Sequence, residues 1–458
     1  MNKLINFKEK DSIVLILGVT ICGFVYYFLH GIYAIYDIDN AWVLSNTYYY
    51  LIDNIQYDKV FGAGSGFYFA KTHAWLYGSI LNIFGWELSN ARIISTILIW
   101  MSALLWFFLL LKMGYSRNIA FAFILLFLIL EPNFAAANKA RVDALVFFLV
   151  SLATFLAVYK AFFISGIVSM VALETHLMGG AMSGIYVLAY LLSNYRAKDK
   201  RSAWWLYSLG LIIGIFYYLA FHHENLSEIL SIVAQATNLK DQVNHYLYAY
   251  FFTTKYYRHI PELVVISISC YIFIAKKLYR TEQFVGIFIL LVLISTFIIR
   301  RPNFHYAIYA YPAFILLIVV VSKYLKHSYL SVALIFAMLL PQYGFVYFKY
   351  NHFEFNEYLK VIRKSVPKDD LPVVGYSTHW FAFYNENRDF FAINYQKDVA
   401  QLSLKDFYLI DDSQHVDSYS ISMADFIKDC DAQVIFETTF DSSVILTKKM
   451  ICQQREFQ

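Results

Sequence analysis

The chain has 458 residues, of which 59% are hydrophobic and 15% charged, and a mean hydropathy of +0.51. A soluble domain carries ~25% charged residues, and no soluble core buries this much apolar surface, so the composition excludes an ordinary soluble protein and implies a polytopic membrane protein. The formal net charge of +4 excludes little, because the sidedness of charge matters more than its sum; no nucleic-acid partner is expected.

In chain order, Met1 to Lys10 is short and basic, with Lys3, Lys8 and Lys10, and an apolar run follows from Ile13 to about His30. No small-residue cleavage site stands out, so this run reads as a retained signal anchor. Further apolar runs lie near 93–111, 118–131, 144–159, 161–174, 177–193, 203–221, 262–275, 284–299, 306–322 and 328–347. They predict an α-helical polytopic membrane protein with about 11 transmembrane helices. Alternate connections then hold Lys112 and Arg117; Lys160; Arg196, Lys198, Lys200 and Arg201; Lys276, Lys277 and Arg280; and Lys323 and Lys326. By the positive-inside rule this sets the N-terminus in the cytoplasm and the C-terminal tail outside.

Three outer segments are long. In the first, 32–90, Trp42 to Ile52 and Phe67 to Phe84 read as juxtamembrane or re-entrant helices around a Gly-rich turn, Gly62 to Gly66. That turn lacks the spacing of a phosphate-binding loop. The second, 222–261, begins with His222, His223 and Glu224. The third is the tail. Phe355 to Val366 and Met423 to Cys430 predict helices; 372–376, 390–394, 407–411, 433–437 and 443–447 predict short strands. The expected organisation is a transmembrane module over 1–348 and an extracytoplasmic α/β domain over 349–458. Cys22 and Cys270 fall in apolar runs as small hydrophobes. Cys430 and Cys452 can pair if the tail is extracytoplasmic.

Several constellations can carry chemistry. Asp37 and Asp39 follow the first apolar run, just outside the hydrocarbon, where a charge within the bilayer would cost roughly 2.5–3.5 kcal/mol or more. They read either as solvated loop residues, one capping a helix near Asn40, or as carrying, in one of the two, the catalytic base of an outer site. The stretch Asn138-Lys-Ala-Arg-Val-Asp143 opens the fourth span on the same side. Asp143 suits a helix first turn, and Arg141 either pairs with it or faces an anion. Lys71, His73, Arg258, His259, Arg300, Arg301 and His305 bring cations to other outer loops. Interface snorkelling explains some of them; a mouth for a lipid-borne phosphate is the functional alternative. Glu174 and His176 make a divalent metal possible, although a lone His at a helix start is commonly structural.

The order of these motifs resembles a family. Tyr36-Asp-Ile-Asp-Asn40 is followed by a Tyr-rich helix, Lys71-Thr-His-Ala-Trp-Leu-Tyr77, Phe84-Gly85 and Asn90-Ala-Arg92; Arg141-Val-Asp-Ala-Leu145 opens the fourth span; Arg300-Arg-Pro-Asn-Phe-His-Tyr306 and Tyr311-Pro312 open the tenth. Over about residues 10–345 this is similar to the C-type membrane glycosyltransferases, the group of dolichyl-phosphate-mannose protein mannosyltransferases and the bacterial lipid A aminoarabinose transferase. The resemblance implies sugar transfer from a polyprenyl-phosphate donor to an acceptor hydroxyl at the outer face of the membrane. It implies Asp39, with Asp37 second, as catalytic base; Lys71, His73, Arg141, Arg300, Arg301 and His305 at the donor phosphate; and Asp143 and Tyr306 as supporting residues. Where the family often has Asp-Glu, this chain has Asp39-Asn40, and Pro is absent after the basic residue at 71. The acceptor stays open among glycan, lipid and protein, and the expected location is a bacterial inner membrane. A transporter or flippase for lipid-linked sugars, or an assembly protein, is the alternative.

Overall fold

The structure is a computed structural model that describes residues 38–53, 60, 70–194, 200–223, 226–227, 260–298, 307–325, 354–386, 388–392, 405–412, 427, 430–440 and 443–452. These residues are mostly helical, with one small sheet near the C-terminus. They fall into two compact units: residues 95–138 and 143–349 belong to one, and 34–94, 139–142 and 350–458 to the other.

The first unit is built of apolar helices. After α1 (Ile38–Ile52) and α2 (Lys71–Phe84), which belong to the other unit, come α3 (Leu88–Lys112), α4 (Arg117–Ile129), α5 (Glu131–Ala137), α6 (Val142–Val158), α7 (Phe162–Thr175), α8 (Leu177–Ser193), α9 (Lys200–His222), α10 (Ile260–Ala275), α11 (Gln283–Ile298) and α12 (Ala307–Lys323). The runs expected between 93 and 322 each coincide with one of these helices. Among the described residues α3 and α9 are long and apolar enough to cross a bilayer, and most of the others are shorter apolar helices. The expected first and last spans, near 13–30 and 328–347, lie outside the described residues.

Helices α7 and α9 approach most closely through small residues. A Cβ at Gly210 would come 2.1 Å from the Phe163 carbonyl oxygen, and one at Gly166 2.3 Å from that of Tyr207. Small residues in this spacing let backbones meet where no hydrophobic effect drives helices together. At the centre, Trp106, Phe123, Phe127, Phe147, Tyr186 and Phe288 are buried. Their polar atoms have partners: Trp106 Nε1 donates to Ser151 Oγ at 3.2 Å, and Tyr186 Oη to the Tyr309 carbonyl.

Helix ends assigned to one side of the membrane meet one another. Lys112 Nζ lies 5.1 Å from the Tyr159 ring centroid. Tyr115 and Tyr324 both donate to the Glu282 carboxylate, at 3.2 and 2.8 Å. All of these residues lie in or beside connections that the charge pattern sets together. At the opposite ends, Glu174 and His222 pair at 3.1 Å, both side chains fully buried.

The second unit contains α1, α2 and the tail. Gly78 of α2 lies against Thr47 and Leu51 of α1. In the tail, α13 (Phe355–Ser365) buries Phe355, Tyr358, Ile362 and Ser365, a spacing that lines one face of a helix. The strands β1 (Val373–Gly375), β2 (Phe390–Ala392), β3 (Asp406–Asp412), β4 (Cys430–Phe440) and β5 (Ser443–Cys452) form one sheet in the order β2-β1-β3-β5-β4. β1 runs parallel to β2 and β3, while β5 is antiparallel to β3 and β4. All five expected strand segments lie in this sheet. One boundary differs: the helix expected to end at Cys430 gives way to β4 there. Cys430 and Cys452 face each other in register and form a disulfide.

Candidate functional site

The acidic motif opens α1, which begins at Ile38, close to the start expected near Asn40. Asp39 is therefore in the first turn, where the helix dipole favours a carboxylate, and not a cap. Asn40 is fully buried. Its Oδ1 accepts the N–H of Ala140 at 2.8 Å. This bond joins the first turn of α1 to Lys139-Ala140-Arg141, so two cationic residues flank the backbone held next to the acidic motif. Lys139 is buried and Arg141 partly so.

The other polar residues of α1 make bonds to its own backbone. Ser45 Oγ donates to the Trp42 carbonyl at 3.2 Å, Asn46 Nδ2 to the same oxygen at 2.9 Å, and Thr47 Oγ1 to Val43 at 2.8 Å. Asn40 alone of these four reaches across to a distant stretch of chain, which marks it as the tether.

Lys71 and His73 are buried at the start of α2. Lys71 Nζ sits 5.4 Å from the Tyr50 ring centroid, toward the far end of α1. Residue 50 lies about 16 Å along the axis from Asp39 at ~1.5 Å per residue. The His73 ring stacks on Tyr77 with centroids 3.9 Å apart. Asp143 is buried in the first turn of α6, in the other unit. Asp37, Arg300, Arg301, His305 and Tyr306 lie outside the described residues, as does the Asp39 side chain.

The residues considered for a metal are used otherwise. Glu174 pairs with His222, and His176 caps α8, its Nδ1 accepting the N–H of Met178 at 3.1 Å. Among the described residues, no three His, Cys, Asp or Glu side chains converge as a metal site.

Sequence reasoning missed two features of the second unit. The first is the tether, since Asn40 had registered only as a departure from Asp-Glu. The second is a buried network around the turn Ser377–His379, which leads into the short helix α14 (Trp380–Phe383). There the N–H of Tyr376 donates to His379 Nδ1 at 3.1 Å, so the ring proton sits on Nε2, 2.6 Å from Tyr358 Oη. Tyr358 donates in turn to Asp412 Oδ2 at 2.7 Å. A side chain at Gly375 would come 2.8 Å from His379 Nδ1, so the turn requires glycine there. Trp380 packs edge-on to Tyr48 of α1, centroids 5.9 Å apart. Burial, more than the nearby Asp53 and Tyr384, raises the Tyr48 phenol above its usual value and keeps it a neutral hydroxyl.

No family model and no curated protein sequence matches the chain. Solved structures do. ArnT from Cupriavidus metallidurans bound to undecaprenyl phosphate matches with a TM-score of 0.63 at 11% identity, over 96% of this chain and 98% of that one. The same protein in its apo state gives a TM-score of 0.61. The archaeal oligosaccharyltransferase AglB from Archaeoglobus fulgidus, in complex with an inhibitory peptide and a dolichol-phosphate, gives 0.50 at 12% identity, over 87% of this chain and 70% of that one. The resemblance to C-type membrane glycosyltransferases thus extends over nearly the whole chain at the level of fold, and the chain has the fold shared by ArnT and AglB.

Proposed function

We propose that this protein transfers a sugar from a polyprenyl-phosphate donor to an acceptor hydroxyl at the outer face of a membrane, with inversion at the anomeric carbon. The observation that carries this reading is the Asn40–Ala140 bond, which holds a Lys–Ala–Arg stretch against the turn that bears Asp39. The fold supports it: two similar structures hold a polyprenyl or dolichyl phosphate.

In this reading Asp39 takes the proton of the acceptor hydroxyl as its oxygen attacks the anomeric carbon. The bond from that carbon to the phosphate oxygen breaks, and the phosphate leaves with the bonding pair. Arg141 stabilises the charge that develops there. Fixed cationic donors do this best where water is scarce, and losing one typically costs ~10²–10³-fold in rate. The disulfide of the tail fits an oxidising compartment, and so an N-terminus inside with the tail outside a bacterial inner membrane.

The test is transfer of label from polyprenyl-phosphate hexoses and pentoses to envelope glycan, glycolipid or protein in membranes that contain the chain. Transfer that depends on the chain supports the reading. Donor that stays intact in every arm, or that crosses the bilayer untransferred, overturns it in favour of a transporter.

A further inference from the structure

The bond that makes Asn40 a tether also fixes which way its carboxamide points. Asparagine nitrogen and oxygen are assigned by their partners, and here the oxygen must face the Ala140 N–H, 2.8 Å away. The amino end is thereby fixed on the other side. Asn40 is fully buried, and its Nδ2 has no hydrogen-bond partner among the described residues. Buried side-chain donors in native proteins nearly always have a partner, so two N–H bonds held in one direction call for an acceptor from outside the described chain.

The surroundings indicate what that acceptor is. The group that holds Ala140 sits one residue from Lys139 and one from Arg141, so whatever accepts from Nδ2 lies within a carboxamide's width of a backbone flanked by two cations. The N-terminus of α1 contributes a dipole that favours negative charge at the same place. Amide donor, helix start and two cations together select an anionic oxygen, not a neutral hydroxyl and not a metal ion.

We infer that the Asn40 amide is a binding group for the phosphate of the lipid carrier, donating to an oxygen of the leaving phosphate next to the proposed base. This rests on the glycosyl-transfer reading above and assigns Asn40 a role in it. Successive positions on an α-helix diverge by about 100°, so a base at 39 and a phosphate donor at 40 address different sides of one sugar ring. An acidic residue at 40 would instead set a carboxylate against the phosphate.

The test measures binding of undecaprenyl phosphate to the purified full-length chain in detergent, with undecaprenol as the neutral control and inorganic phosphate as competitor. Asn40→Asp keeps an oxygen for Ala140 and replaces the donor with a negative charge. It is expected to weaken undecaprenyl phosphate binding by about 100-fold or more while undecaprenol binding stays unchanged. Asn40→Ala removes the amide donor without adding charge, and is expected to cost about 10-fold or more; it stands in if Asn40→Asp does not fold. Asp39→Asn is expected to bind undecaprenyl phosphate as the parent chain does while losing transfer. Variants at 40 that bind it within about 2-fold of the parent overturn the inference and leave the transfer reading standing. Effective competition by inorganic phosphate overturns the assignment to a lipid carrier. A parent chain that binds the lipid through Asn40 yet transfers nothing defeats the transfer reading alone.

Discussion

Two buried polar pairs, one in each unit, show opposite uses of the same resource. Glu174 and His222 are fully buried in the helical unit and face each other at 3.1 Å. The contact, made through His222 Nε2, fastens α7 to the end of α9. Asn40 and Ala140 are equally buried in the other unit, but among the described residues only the oxygen end of the Asn40 carboxamide is engaged. The first pair is a lock. The second is a lock with a donor to spare, set beside an acidic residue. The first joins two charged-type side chains of neighbouring helices and serves stability; the second joins a side chain to a backbone N–H beside two cations, and its remaining donor is the one proposed to meet a ligand.

That contrast can be broken at several points. Glu174→Ala leaves a buried histidine without its carboxylate, and should cost about 3–5 kcal/mol of stability, read as a lower melting temperature in detergent; lipid-phosphate binding by the folded fraction should survive. Opening the disulfide by Cys452→Ser, which releases a loop with a sequence separation of 22, should cost about 3 kcal/mol. The loss should register as faster proteolysis of the tail. Ala140→Pro removes the N–H that Asn40 holds; transfer should fall by roughly 10²-fold, with the melting of the helical unit unchanged. If transfer survives Ala140→Pro, the tether is ornamental and the contrast between the pairs fails. Gly375→Ala pushes a methyl against His379 and should cost about 1–3 kcal/mol, checked by thermal melting of the full chain.

The helices of the first unit were legible because apolar runs bounded by Lys and Arg define where each begins and ends. The contacts among 112–115, 158–159, 282 and 324 join connections that the charge pattern had grouped. The strands of the tail were legible from β-branched and aromatic runs between turn residues. The turn Ser377–His379 was not, because its conformation is imposed by Tyr358 and Asp412, far away in sequence. The site was legible in part. Asp39 and Arg141 stood out as charges on the expected outer side, whereas Asn40 did not, since no local pattern reveals a bond to residue 140. The β4 boundary was missed for a similar reason: Cys430 is strand because it pairs with Cys452 across the sheet, a long-range constraint that local helix propensity cannot anticipate.

The most direct test of the account is a single-turnover measurement of polyprenyl phosphate released from a polyprenyl-phosphate sugar, with the parent chain and Asp39→Asn compared at saturating donor. The account predicts that Asp39→Asn binds donor normally and releases lipid phosphate at least about 10²-fold more slowly, with partial recovery in Asp39→Glu. Release by Asp39→Asn at the parent rate would contradict it.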